Sequence, residues 1–113
     1  MIYKPFSVVV VPFPFTDVAK IKKRPALIIS TEEFQKENGH ATLLMITSAK
    51  HSKWFGDFIM KDLKTAGLSS DSCIRQKIFT IDLRLIEKQI GTLTKKEIDS
   101  VKLLLKKCIA IMN

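Results

Sequence analysis

The sequence predicts a mainly β fold: a small barrel of short strands with helical additions, finished by one amphipathic C-terminal helix. Three observations predict it. Short β-branched and apolar runs recur along the chain, as in FSVVVVPF, RPALIIS and HATLLMITS, and such residues fit a pleated, buried surface. Turn-forming or basic segments separate these runs, with four glycines and four prolines spread thinly. The final twenty residues change to apolar spacings of three and four, the period of a helix face. In a chain of 113 residues, curling the strands into a barrel removes the open edges of a flat sheet. Periodicity alone leaves an α+β sandwich as the alternative.

Residues 6–13 (FSVVVVPF) read as a strand buried on both faces. Pro12 and Pro14 are expected to end it or place it at an edge, since proline has no N–H for a ladder. Residues 16–23 (TDVAKIKK) read as a polar, basic loop, and RPALIIS as a second strand opened by Pro25. A short helical turn is expected over 31–37, capped by Ser30 or Thr31. HATLLMITS gives a third strand over about 41–48, KHSKWFGD a loop, and FIMK a short fourth strand. Residues 64–72 (KTAGLSSDS) read as loop. CIRQKIFTID is a further strand whose alternation puts Cys73, Arg75 and Lys77 on one face and Ile74, Gln76 and Ile78 on the other. DLRLIEKQIGTL holds a single helical turn and a short strand or turn. The tail opens with Thr94 and Glu97 at capping-box spacing. Ile98, Val101, Leu105, Cys108 and Met112 then form one apolar face, widened by Leu104 and Ile109. Lys106 and Lys107 lie where the helix dipole favours cations.

Composition bounds the function classes. Apolar residues are 46% and charged residues 27% of the chain, which suits one globular domain over residues 1–113 and not a disordered segment. No apolar run approaches the ~20 residues of a membrane span. The N-terminus lacks the h-region and cleavage site of a signal peptide, so a cytoplasmic protein is expected. Cys73 and Cys108 stand 35 positions apart with no CxxC, and buried free thiols are expected of both rather than a disulfide or metal site. The net charge of +8, from 19 Lys and Arg against 11 Asp and Glu, suits a polyanion: nucleic acid or an acidic protein partner.

His40 and His51 are isolated and read as surface residues, and no carboxylate pair has metal-ligand spacing. Neither GxxxxGKS/T nor GxGxxG occurs. Chemistry on this chain therefore rests on Arg, Thr, Ser and Lys, with no metal or organic cofactor expected. One placement stands out. In KKRPALIIS the cation of Arg24 comes one step before Pro25 and directly against an apolar strand. Proline biases the preceding residue to an extended backbone, so Arg24 is held at the rim of a rigid element. A guanidinium fork matches phosphate oxygens and stabilises charge that builds on them in a pentavalent transition state. It does not readily take up a proton, because it stays protonated at ordinary pH.

VVVPFPFTD, KKRPALIIS and LLMITS, then GLSSDSCIRQKIFTIDLRLIEKQIGTL and the terminal helix, occur in an order and spacing that resembles the MazF/PemK family of toxin endoribonucleases. The resemblance covers nearly the whole chain. It implies an SH3-like small barrel of the MazF/PemK/CcdB type with a C-terminal helix, usually a homodimer. It implies the toxin of a type II toxin–antitoxin pair, a metal-independent endoribonuclease that cuts single-stranded RNA at a short motif. A partly disordered cognate antitoxin would block the RNA groove. The family's recurring active-site residues, an arginine before proline and a Thr or Ser ending the third strand, match Arg24 and Thr47, with Ser48 as the adjacent hydroxyl. The basic loop and KHSKW would flank the groove. Lys20, Lys22, Lys23 and Lys53 would hold phosphates, Trp54 or Phe55 would stack on an unpaired base, and Arg75 and Lys77 would line the groove. The plainer readings are solvated lysines, an exposed strand charge at Arg75, and a core or dimer contact for Trp54. Two departures stand out. Relatives commonly carry Gly-Asp before the first strand, where this chain has Phe6 and Ser7. Many relatives carry an acid in the strand before FTID, where this chain offers Gln76 or Lys77.

On this reading the ribose 2′-OH attacks the adjacent phosphorus and the 5′ oxygen leaves, giving a 2′,3′-cyclic phosphate and a 5′-OH. Arg24 would clamp the non-bridging oxygens and Thr47 would donate to the same phosphate. Dependence on the 2′-OH would select RNA over DNA. Two other classes stay open on the residues. One is the same barrel as a non-enzymatic module for an acidic antitoxin-like chain or a gyrase-type target; the other is a general basic nucleic-acid binder.

Overall fold

Four consecutive valines set the layers of the fold. The computed structural model of the chain describes residues 1–13, 22–50 and 53–112, the side chain of Met112 excepted. Among these residues are the strands β1 (Ser7–Phe13), β2 (Lys22–Ile28), β3 (His40–Ser48), β4 (Phe58–Ile59), β5 (Ser72–Asp82) and β6 (Lys88–Thr92). The helices are α1 (Glu32–Asn38), α2 (Leu63–Ala66) and α3 (Lys95–Cys108), with 3-10 turns at Leu83–Leu85 and Ala110–Met112. The strands make one curled antiparallel sheet, a half-barrel in the order β4-β5-β3-β2-β1-β6. This is the mainly β architecture with a C-terminal helix that the sequence predicts. No described helix is long and apolar enough to cross a membrane.

Both faces of the sheet are covered, which is why β1 is valine at four successive positions. Val8 joins Leu27, Leu44, Ile46 and Ile74 on one face, where Val101 and Leu105 of α3 pack. Val9 and Val11 join Ala26, Ile28, Leu43 and Ile81 on the other, under Tyr3 and Ile86. Each fully buried Val or Leu contributes about 1.5–3 kcal/mol relative to exposure. Gln35 of α1, fully buried, ties the N-terminal segment down. Its Oε1 accepts the Tyr3 N–H at 2.8 Å, and its Nε2 donates to Tyr3 O at 2.8 Å and Ser30 O at 3.3 Å.

The capping box of α3 forms as spaced. Thr94 Oγ1 accepts the Glu97 N–H at 3.3 Å and Glu97 Oε1 accepts the Thr94 N–H at 3.1 Å. The second Glu97 oxygen accepts the Asp62 N–H at 3.3 Å, which joins the starts of α2 and α3. The chain leaves the helix at Ile109 in extended backbone, so Met112 lies in the following 3-10 turn and not on the helix face.

Three sequence expectations are corrected. Residues 64–72 are not all loop: α2 runs over Leu63–Ala66, with Asp62 as N-cap and Gly67 as C-cap at φ 76. A helix this short has no periodicity to read, and its caps are its only signal. Gly67 also lies so close to β6 that a Cβ would stand 2.1 Å from Ile90 O. Pro12 stays within β1, opposite Lys23, beyond the last β6 pair at Val10, which is the edge placement that the sequence allowed. Pro25 does not open β2 but lies in its middle, opposite Val10. In β5 the regular alternation fails. The register with β3 shifts between Leu44 and Met45, so Ile78 pairs with Leu44 and Arg75 with Met45, leaving Gln76 and Lys77 as a bulge. Cys73, Ile74 and Arg75 are then all buried in succession.

Phe6 carries the departure at the head of β1. Its φ is 70°, the left-handed region that glycine enters freely and other residues enter at a cost of about 1–2 kcal/mol. Its N–H bonds Ile28 O at 2.7 Å and its carbonyl accepts the Leu93 N–H at 3.1 Å, so the neighbouring strands hold the conformation. The ring packs on the α3 face of the core with Lys102 Nζ 5.7 Å from its centroid.

Candidate functional site

The site opens where β2 and β3 part. Their pairing runs from Ile28↔Leu43 to Ala26↔Met45 and stops there, while β2 continues along β1 through Pro25, Arg24 and Lys22. Pro25 has no N–H to give to β3, so the ladder cannot continue past it. Arg24 shares the face of Ala26, and Thr47 shares the face of Met45, because residues two apart on a strand point the same way. The two residues therefore border one gap. A cavity of about 130 Å³ lies between Phe13, Arg24, Met45, Thr47, Arg75 and Lys77. A second, of about 170 Å³, adjoins it at Arg24 and Thr47 and is lined further by Ser48, Ser69, Ser70 and Ser72. Among the described residues no carboxylate is ion-paired with Arg24. A fixed cation with hydroxyl donors around two small hollows suits an anionic group with hydrogen-bonding substituents on either side.

Arg75 is placed differently from a groove lysine. Its side chain is 9% exposed and meets Asp57, itself 8% exposed. Arg75 Nη2 donates to Asp57 Oδ2 at 2.9 Å and Nε to Oδ1 at 3.1 Å. The Trp54 N–H also donates to Asp57 Oδ2, at 3.0 Å, and the Asp57 N–H returns to Trp54 O at 3.2 Å. Gly56 makes this turn possible at φ 95; a Cβ there would stand 2.6 Å from Cys108 Sγ. The indole of Trp54 lies over the Arg75 guanidinium, 5.1 Å from ring centroid to Cζ, with Lys77 Nζ at 5.5 Å.

These contacts move the charges. Burial works to raise the Asp57 carboxyl, but the Arg75 and Trp54 hydrogen bonds and the Arg75 charge outweigh it and hold it below its ordinary value. The hydrogen bond to Asp57 raises Arg75 in turn. Burial, then the Asp57 charge, pushes the neighbouring Cys73 thiol up. Asp57 was not singled out in the sequence, where the acid was sought near Gln76. Its legible signal is the Gly-Asp of the WFGD turn. Gln76 sits in the bulge, with its Oε1 buried and without a hydrogen-bond partner among the described residues.

The other sequence candidates are spread around this centre. Lys22 is exposed on the Arg24 side of β2, opposite Phe13. Lys23 faces the other way and pairs with Glu87. Ser48 lines the second cavity, and its Oγ accepts the Lys50 N–H at 3.2 Å. Lys53 is exposed, and Lys77 lines the first cavity. Lys20 and His51 lie outside the described residues; His40 is exposed at the start of β3. Cys73 is buried and Cys108 half-buried, both as free thiols.

Comparison with known proteins follows this geometry. The family described as "PemK-like, MazF-like toxin of type II toxin-antitoxin system" matches residues 4–109. The toxin MazF-mt6 of Mycobacterium tuberculosis superimposes with a TM-score of 0.74 at 17% identity, over 92% of this chain and 96% of that one. MazF from a MazE–MazF crystal structure of Deinococcus radiodurans superimposes with a TM-score of 0.77 at 17% identity, over 97% and 98%. A mycobacterial endoribonuclease solved with its cognate antitoxin gives a TM-score of 0.74 at 12% identity, over 96% of both chains. Comparison with functionally curated proteins gives no match. At these identities the superpositions speak for the fold.

Proposed function

The chain belongs to the PemK-like, MazF-like toxin family of type II toxin–antitoxin systems, and on that premise we propose that it is a metal-independent endoribonuclease that cuts single-stranded RNA at a short motif. The observation that carries the reading is the gap at Pro25, where Arg24 and Thr47 border the same two cavities. The scissile phosphate sits there. Arg24 clamps its non-bridging oxygens and stabilises the charge that grows as the ribose 2′ oxygen bonds to phosphorus. Thr47 donates a hydrogen bond to the same group, with Ser48 beside it. The 2′-OH gives up its proton, the bond from phosphorus to the 5′ oxygen breaks, and that oxygen takes up a proton. The products are a 2′,3′-cyclic phosphate and a 5′-OH. Arg24 acts by charge and not as the base, since its guanidinium does not release its proton at working pH.

The two cavities give the strand a path on either side of the phosphate, one walled by Arg75 and Lys77 and the other by serine hydroxyls. Lys22 and Lys53, with Lys20, add backbone attraction that weakens with salt, whereas Lys23, turned to the other face and paired with Glu87, is left out of the groove. The proposed partners are a cognate antitoxin, as in the MazE–MazF and endoribonuclease–antitoxin structures, and a second copy of this chain in a homodimer. The charge of +8 favours an acidic antitoxin segment. The proposed setting is the cytoplasm.

The test is cleavage of cellular mRNA in the presence of EDTA, with both new ends mapped. The expected result is motif-limited cutting, cyclic-phosphate and 5′-OH ends, and a loss of about 10²–10³ in rate for Arg24→Ala, as for other preorganised donors to a reacting oxyanion. No cleavage by the wild type, or equal cleavage by Arg24→Ala, overturns the reading. Binding without turnover would assign the chain to the non-enzymatic module instead.

A further inference from the structure

The Asp57–Arg75 pair does more geometry than chemistry. Two charges 8% and 9% exposed lose much of their hydration, and apolar residues of the same volume fill such space as well or better. The pair adds a defined orientation. Two parallel hydrogen bonds fix the plane of the guanidinium. Asp57 also fixes the backbone of Trp54 through bonds in both directions. The guanidinium and the backbone that carries the ring are therefore held by the same residue, and ring and guanidinium meet at 5.1 Å. The indole keeps 42% of its surface exposed and Phe55 beside it 80%. The cations beneath the ring, Arg75 and Lys77, line the cavity that Arg24 and Thr47 border.

We propose that Asp57 and Arg75 form a latch that holds Trp54 as a stacking platform for an unpaired nucleobase next to the phosphate at Arg24 and Thr47. Arg75 is then a positioning residue and not a phosphate ligand. The inference rests on the endoribonuclease reading for its ligand, single-stranded RNA. A cation under one part of the ring leaves the exposed part for a base, and stacking of that kind tolerates any base because each has a π-face. The platform contributes to holding the strand, while selection of the motif falls to the other contacts.

Trp54 is the one tryptophan of the chain, so its emission reports the latch without a label. The test uses the full chain and a pool of random single-stranded RNAs about 12 nucleotides long, 2′-O-methylated to prevent cleavage. The unlabelled pool serves for emission and a fluorescein-tagged pool for anisotropy. The expected result is saturable quenching of Trp54 by RNA in the wild type and in Arg24→Ala. Asp57→Asn should shift the emission of the free protein to the red and expose it to acrylamide. Trp54→Ala should weaken RNA binding about tenfold, and Trp54→Phe should restore most of it. In cleavage assays the Trp54→Ala loss should fall mainly on KM, with kcat little changed. Should Asp57→Asn fail to fold, the two Trp54 variants carry the test, since they leave the ion pair in place.

Emission untouched by RNA, or Trp54→Ala binding like the wild type, overturns the platform. Asp57→Asn that folds with wild-type emission overturns the latch. Quenching and Trp54-dependent binding in a protein that cuts no RNA would sink the endoribonuclease reading and leave the platform standing. Arg24-dependent cleavage with no effect of Trp54→Ala would do the reverse.

Discussion

Removing one member of the Asp57–Arg75 pair should destabilise the fold far more than removing both. Arg75→Met deletes the guanidinium and keeps an apolar stem. Asp57, 8% exposed, then loses its charge partner and keeps the Trp54 N–H at 3.0 Å. Stranding one charge of a buried pair costs about 3–5 kcal/mol. Asp57→Ala strands the cation instead, at a similar cost. In the double variant no charge remains buried, and its loss is set at about 1–2 kcal/mol by packing. The coupling between the sites is then about 4 kcal/mol or more. In a chain of 113 residues each kcal/mol lowers Tm by about 4 °C, so the single variants melt about 12–20 °C lower than the wild type. Urea unfolding of the four proteins, followed by far-UV circular dichroism at neutral pH, reads the cycle. The pH dependence has a fixed sign. The folded-state pKa of Asp57 is depressed, so the unfolded chain takes up that proton first as pH falls. The contribution of the pair is full above the ordinary carboxylate range and is lost as pH drops through the folded value. In Arg75→Met burial is left to act on Asp57 against the Trp54 hydrogen bond, so the stranded carboxyl takes up a proton more readily than in the wild type. The gap between the two proteins should thus be widest in mildly alkaline solution and narrow steadily as pH falls. Arg75→Met within about 1 kcal/mol of wild type, or single losses that simply add, would refute the argument.

Two further outcomes follow from single residues. At Phe6, whose φ is 70°, Phe6→Gly should be more stable than Phe6→Ala by about 1 kcal/mol, because both lose the ring but only glycine relieves the backbone; urea midpoints in the reverse order would contradict the strain. Cys73 is 1% exposed and its thiol is pushed up by burial and the Asp57 charge, so a thiol reagent at mildly alkaline pH should leave it unmodified until the protein unfolds. Peptide mass mapping that finds Cys73 labelled in the folded protein as fast as Cys108 would refute this.

The parts that were legible in the sequence are those written in local pattern. Four valines in β1 declared a strand covered on both faces, and Val8 and Val9 do enter opposite cores. Thr94 and Glu97 marked the start of α3 three residues apart, and both halves of the box form. What escaped depends on pairing between distant segments. Asp57 reaches Arg75 because β4, two residues long, pairs with β5 through Phe58↔Ile74 and Ile59↔Cys73. A strand of that length carries no register of its own, so nothing near Asp57 announces its partner. The bulge at Gln76 and Lys77 escaped for the same reason: the six residues from Cys73 to Ile78 read as a regular strand until β3 is laid beside them. Pro25 misled in a more instructive way. A missing donor reads as a strand end or an edge at Pro12 and as a strand start at Pro25, yet a strand needs a given N–H only on the side where a neighbour runs. Pro25 keeps its place opposite β1 and forfeits only the pairing toward β3.

That one-sided loss explains where the candidate site lies. β3 changes its pairing with both neighbours at the same level: its ladder to β2 stops, and its ladder to β5 shifts register before it resumes. Toward β2 its last partner is Ala26, opposite Met45. Toward β5 the register shifts between Leu44 and Met45, which sets Arg75 opposite Met45 and leaves Gln76 and Lys77 outside the ladder. A ladder regular on both sides would consume the backbone donors and close the surface with interlocked side chains. The proline instead parts β2 from the outer end of β3, and the bulge displaces Gln76 and Lys77 on the other side, where β5 pairs again through Thr47↔Cys73 and Ser48↔Ser72. Thr47 stands on that end, Arg24 on the strand that has turned away, and Arg75 on the strand that bends. The hollow between them is a property of the backbone. Side-chain chemistry is then a matter of which residues fall at the break, and there the chain places a fixed cation, a hydroxyl, and a second cation already bound to a carboxylate.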